Sequence, residues 1–176
     1  MVMAMMFPML IGPIRLTAAR SLWRRRHRAI VGFLLGYLAT WLIFGLVASV
    51  VVYQVQDHTS LQTSELAAVV FAIALFWQLT ATKRRSVLAC HRTRPLAPSG
   101  WRADRDCLRY GRMIGGWCLV SCGPLMFGCM LAGHGVLAMV GMTAVGCIER
   151  SQPRPNQLLL CSIIAAVGLT CLILPG

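Results

Sequence analysis

The sequence predicts an all-α fold, a polytopic membrane helical bundle of about six hydrophobic segments, and three observations predict it. Hydrophobic residues make up 57% of the 176 positions and the mean hydropathy is +0.69. The apolar residues are gathered in runs, several of which approach the roughly 20 needed to cross a bilayer as helix. The 17 Lys and Arg are gathered as well: six between Arg15 and Arg28, nine between Lys83 and Arg112, and two at Arg150 and Arg154. Positive charge bunched at alternate helix ends is the positive-inside pattern, which assigns segments 15–28, 83–112 and 149–157 to the cytosol.

That distribution also weighs against nucleic acid as a partner, despite a net charge of +12. Nucleic-acid binding calls for a basic face interleaved with aromatic platforms, whereas these cations sit in connections between apolar runs. The expected partner is the lipid bilayer, and the expected organisation a single integral membrane domain over residues 1–176.

In chain order, Met1 to Ile14 is apolar but short, since 14 helical residues reach about 21 Å of a hydrocarbon core of about 30 Å. It reads as a partial helix, or as the end of one that begins upstream. It is not a signal peptide, whose positive charge precedes the apolar run; here Arg15 and Arg20 follow it. Arg15 to Arg28 reads as a basic loop with Trp23 as an interface anchor. Ala29 to Tyr53 is a full span, and its Gly32 and Gly36 have the small-xxx-small spacing that brings helices close. Packing inside the domain is the expected use of that spacing. Gln54 to Ser64 has no Lys or Arg and holds Asp57 and His58, as suits an outer loop.

Leu66 to Thr82 is the next span. Lys83 to Arg112, with Pro95 and Pro98, reads as a basic cytosolic loop with room for a short interfacial helix. Met113 to Ile148 reads as a hairpin, outbound to about Leu131, turning at Gly133-His134-Gly135. Its return arm, the fifth segment, is short like the first. A link from Glu149 to Gln157 leads to a last span, Leu158 to Leu174, which leaves the C-terminus outside.

Sulfur is the chemical signal. With about 100° per helical residue, Cys122, Cys129 and Met126 fall near 40°, 20° and 80° from Cys118, which makes one stripe on one helix face. Cys118 and Cys122 are one turn apart, about 6 Å along the axis, within reach of a single ion. Soft thiolate and thioether ligands favour Cu(I), with zinc behind it. Pro124 cannot donate to the carbonyl of Val120, so a freed acceptor is expected beside the two thiols. Counted at 1.5 Å per residue from Arg112 and Arg15, Cys122 and the Met5-Met6 pair lie at similar depths. A mixed site of Cys118, Cys122, Met126, Met5 and Met6 is therefore the candidate. Cysteine as a small hydrophobe and methionine as a gap-filler give the competing account. Eight cysteines with few outward loops do not suggest a disulfide framework, and Cys90-His91 is a weaker metal candidate.

The pieces Met5-Met6-Phe7-Pro8, Gly36-Tyr37 with Trp41, Gln78-Leu79-Thr80 with Lys83, Cys90 with Pro95, Cys118 to Met126, and Glu149 occur in order over most of the chain. In these the sequence resembles an uncharacterised bacterial family of predicted metal-binding integral membrane proteins. The resemblance implies a multi-helix bundle in the bacterial inner (cytoplasmic) membrane, with a metal site. It also implies cysteines where Ser86 and Ser121 stand here.

Gln78 is expected to hydrogen-bond a neighbouring helix, and Glu149 to form an interfacial ion pair with Arg150, ahead of a role as an oxygen ligand near Cys147. No catalytic set stands out, so an enzyme is not the favoured reading. The favoured function is a membrane protein with a copper-like, soft-metal role. An accessory or structural subunit of a larger membrane complex, with membrane protein partners or a homo-oligomer, is the alternative. A thiol or quinone redox enzyme ranks third.

Overall fold

The structure is a computed structural model that describes residues 2–58, 63–93, 95–97, 100–131, 136–151 and 156–173, with the side chains at 2–5, 56, 63, 64, 137 and 171–173 outside that set. Among the described residues there are seven α-helices and no strand: α1 Val2–Ala19, α2 Arg26–His58, α3 Thr63–Gln78, α4 Ala81–Cys90, α5 Gly100–Leu131, α6 Val136–Ser151 and α7 Gln157–Ile173. A 3₁₀ turn, Trp23–Arg25, leads into α2.

Two glycines decide how the two longest helices meet. A Cβ on Gly36 would collide with the Leu108 carbonyl, and one on Gly111 with the Phe33 carbonyl. Without those side chains α2 and α5 touch backbone to backbone. The contacts advance together along both chains, from Gly32 against Cys107 to Gly115 against Thr40, so the helices run parallel. Their N-terminal ends are joined by Arg25 and Arg28, each 2.9 Å from Asp104. The basic segments before α2 and at the start of α5 thus share one end of the bundle. Along α2, Phe33, Tyr37, Trp41 and Phe44 follow one another at centroid spacings of 6.5, 6.5 and 5.8 Å, the first pair stacked, the second tilted and the third edge to face. The Gly32/Gly36 spacing therefore serves packing within the domain.

Several boundaries differ from expectation. Segment 15–28 is not all loop, because α1 stays helical to Ala19. The span expected over Leu66 to Thr82 ends at Gln78 and turns by 79° into α4. The cause is local: the Thr80 side chain accepts from the Lys83 backbone N–H and caps a new helix, as hydroxyl residues at helix starts do. Segment 83–112 is mostly helical, divided between α4 and the first turns of α5. The hairpin arms match expectation in α5, which ends at Leu131, and α6. The turn at Gly133-His134-Gly135, and also Arg94, Pro98, Arg154 and Leu174, lie outside the described residues.

By length and composition two helical stretches, Trp23–Val55 and Gly100–Leu131, are long and apolar enough to cross a membrane, and the bent α3–α4 pair makes a third if counted as one span. Six segments were expected. Over the described residues α6 and α7 run 16 and 17 residues and are not counted among these.

Gly36→Ala should lower stability by about 1–3 kcal/mol or more, because backbone has to move. Gly45→Ala, where nothing lies within 4 Å of the new Cβ, should leave it unchanged or raise it by up to about 1 kcal/mol. Thermal unfolding of detergent-purified variants followed by size-exclusion recovery measures both.

Candidate metal centre

The sulfur stripe of α5 faces inward. Cys118, Cys122, Met126 and Cys129 are all buried, because this face packs against α1, α2 and α6 rather than outward. At its centre is Cys118. Met6 Sδ of α1 is 3.8 Å from the Cys118 sulfur, and the Tyr37 hydroxyl of α2 donates to that sulfur at 3.4 Å. Cys122, one turn along the same helix, lies within electrostatic reach of Cys118 and stands 3.7 Å from the Ser121 hydroxyl. Three helices thus deliver two thiols, one thioether and one phenol to a single point.

Arginine completes it from α6. Arg150 donates through one Nη to the Cys118 sulfur at 3.1 Å and through the other to the Met9 carbonyl at 3.2 Å. The second contact has a covalent origin. Met9 is four residues before Pro13, which has no N–H to give it, so the carbonyl is free for an outside donor. The guanidinium is also within electrostatic reach of Cys90, Cys122 and Tyr37.

Behind the sulfurs is a buried ion pair. Lys83 of α4 meets Glu149 of α6 at 3.0 Å with both side chains almost fully covered, and Gln78 donates its amide to the other carboxylate oxygen. Lys83 also donates to the Ser121 carbonyl at 2.8 Å. Beside it, the Val120 carbonyl freed by Pro124 accepts from the Trp77 indole at 3.0 Å. The α3–α4 elbow is therefore docked on the proline defect of α5.

The expected residues fare differently. Met6, Cys118 and Cys122 come together. Met6 pairs with Cys118 rather than with Cys122, the level expected, because α1 and α5 both continue as helix past Arg15 and Arg112, the points from which depth was counted. Met126 is buried one turn beyond Cys122 in the apolar core. Met5 belongs to α1, but its side chain lies outside the described residues. The freed Val120 carbonyl is not an open ligand, since Trp77 takes it. Gln78 bonds a neighbouring helix as expected. Glu149 and Arg150 do not pair with each other. Adjacent helical residues point about 100° apart, and each finds its own partner.

Lys83, Tyr37, Arg150 and Cys90 were missed or misplaced. The prolines held the signal for Arg150, because Pro13 within a helix requires a donor for Met9. Among the described residues no three His, Cys, Asp or Glu side chains form a group able to hold a metal ion. The arrangement is a thiol pair with a thioether beside it, soft donors rather than the four-ligand set of a zinc cage.

These features define the class of protein first: an all-helical chain with a buried thiol–thioether–guanidinium centre. The family model PpoB2, described as copper chaperone, matches residues 1–174, and the chain belongs to this copper-related family. No curated protein and no solved structure matches the chain.

Lys83→Met strands the Glu149 charge in the interior and should cost roughly 3–5 kcal/mol. The double variant Lys83→Met/Glu149→Leu should recover most of that loss. Comparing the thermal stability of the two in detergent measures it.

Proposed function

We propose that this chain is an integral membrane copper protein that holds one Cu(I) ion between Cys118 and Cys122 with Met6 as a thioether ligand, and passes it on. The observation that carries this reading is the 3.8 Å approach of Met6 to Cys118 across two helices far apart in sequence. Core packing alone does not require two sulfurs to meet there with a third beside them. The donor set is soft, and its low ligand number suits a monovalent copper ion better than zinc. A chaperone has to release its ion, and two thiols with a weak thioether leave open coordination positions through which a receiving ligand exchanges.

Membrane embedding is supported by the outer surface. Leu35, Leu42, Leu46, Val47 and Val50 of α2 are more than half exposed, so α2 is apolar on its outside as well as its inside, as a lipid-facing helix is. We place the chain in the bacterial inner membrane with the shared basic end of α2 and α5 toward the cytosol, where anionic headgroups meet arginine.

Detergent-purified protein, reduced and titrated with Cu(I) against a chromophoric competitor, should take up one equivalent. Cys118→Ser/Cys122→Ser should abolish uptake, and Met6→Leu should weaken it about tenfold. Equal uptake by the wild type and the double serine variant would refute the assignment.

A further inference from the structure

We infer that Arg150 is the residue that makes the centre selective for a monovalent over a divalent soft ion; the inference rests on the copper-site reading above and names its specificity determinant. The argument is a charge count over the groups that meet there. Glu149, the carboxylate next to Arg150 in sequence, is taken by Lys83 at 3.0 Å and by the Gln78 amide. That pair sums to zero and leaves Arg150 with its full charge directed at sulfur, 3.1 Å from Cys118 and within electrostatic reach of Cys90 and Cys122.

Two thiolates with a monovalent ion carry one net negative charge, and Arg150 brings the whole to zero. The same two thiolates with a divalent ion are already neutral, so Arg150 then leaves one positive charge in excess. Uncompensated charge in surroundings of low dielectric is costly. An arginine is fixed in this role because it does not lose its proton in proteins.

The guanidinium is also held in place independently of the sulfurs. Its other nitrogen is anchored 3.2 Å from the Met9 carbonyl, which Pro13 has left without a helical donor. Met9 is three residues from Met6 on α1, so one helix supplies both the thioether and the anchor for the countercharge. Neither the thioether, the phenol nor the Cys90 thiol in its neutral form adds charge to the count. Ligand number alone would favour a low-coordinate ion, but it does not depend on residue 150. The two explanations therefore separate on substitution there.

The test uses full-length protein in detergent and two probes, Ag(I) as an air-stable monovalent soft ion and Zn(II). Affinities come from competition with chelators. The wild type should prefer Ag(I). Arg150→Gln, which keeps a donor for Met9 but removes the charge, should lose at least about tenfold in Ag(I) affinity while Zn(II) affinity holds or rises. Arg150→Lys should restore most of the Ag(I) preference. Equal weakening of both ions in Arg150→Gln, or no change in either, overturns the inference and leaves the site assignment standing. Absence of Ag(I) binding by the wild type overturns both. If Arg150→Gln does not fold, Arg150→Met, which also removes the charge, takes its place: selective loss of Ag(I) affinity supports the charge argument, and equal loss for both ions or no change refutes it.

Discussion

The backbone contact between α2 and α5 is the constraint from which the rest of the molecule follows. Gly36 and Gly111 each face a carbonyl of the opposite helix at a distance no side chain would allow. Two parallel helices of more than 30 residues are thereby locked in one register. That register brings Tyr37 to Cys118, turns the sulfur stripe inward, and sets Phe33 against Tyr110 with ring centroids 5.4 Å apart. With the α5 stripe held against α2, Met6 of α1 and Arg150 of α6 have a sulfur to meet.

Proline is the second organising element, through what it leaves undone. Each interior proline removes one backbone donor and exposes a carbonyl four residues earlier. In hydrocarbon or a protein core such an acceptor has to be satisfied. At Pro124 and Pro13 the chain answers with side chains from other helices: Trp77 at Val120, and Arg150 at Met9. Lys83 docks at the carbonyl next to the first of these, which is how a cation comes to be buried and then paired with Glu149. Polar groups in the core thus serve as joints between helices, and the charges that remain are placed by those joints.

This division explains what was legible in the sequence. The helices, the α5–α6 hairpin arms, the inward stripe of Cys118, Cys122 and Met126, and the closeness of Met6 follow from periodicity and rise, both properties of a single helix. The elbow at Thr80 was hidden because an apolar run looks continuous whether or not a cap interrupts it. Lys83 was assigned to a solvated loop because its partner Glu149 lies 66 residues away, and pairing at that range leaves no local pattern. Glu149 and Arg150 were matched because they are neighbours in sequence, but neighbours on a helix point in different directions. Cys90 was taken with His91 rather than with the guanidinium that reaches it from α6.

The anchoring of Arg150 has a mechanical side. Its two nitrogens bind different helices, one holding the main chain of α1 and the other the central thiol of α5. Any tilt of α1 that draws Met6 away from Cys118 also pulls on the guanidinium through Met9. Loss of the thioether and displacement of the cation are then one movement. The posture of a single helix, α1, thus sets both the thioether–thiol contact and the position of the positive charge beside it.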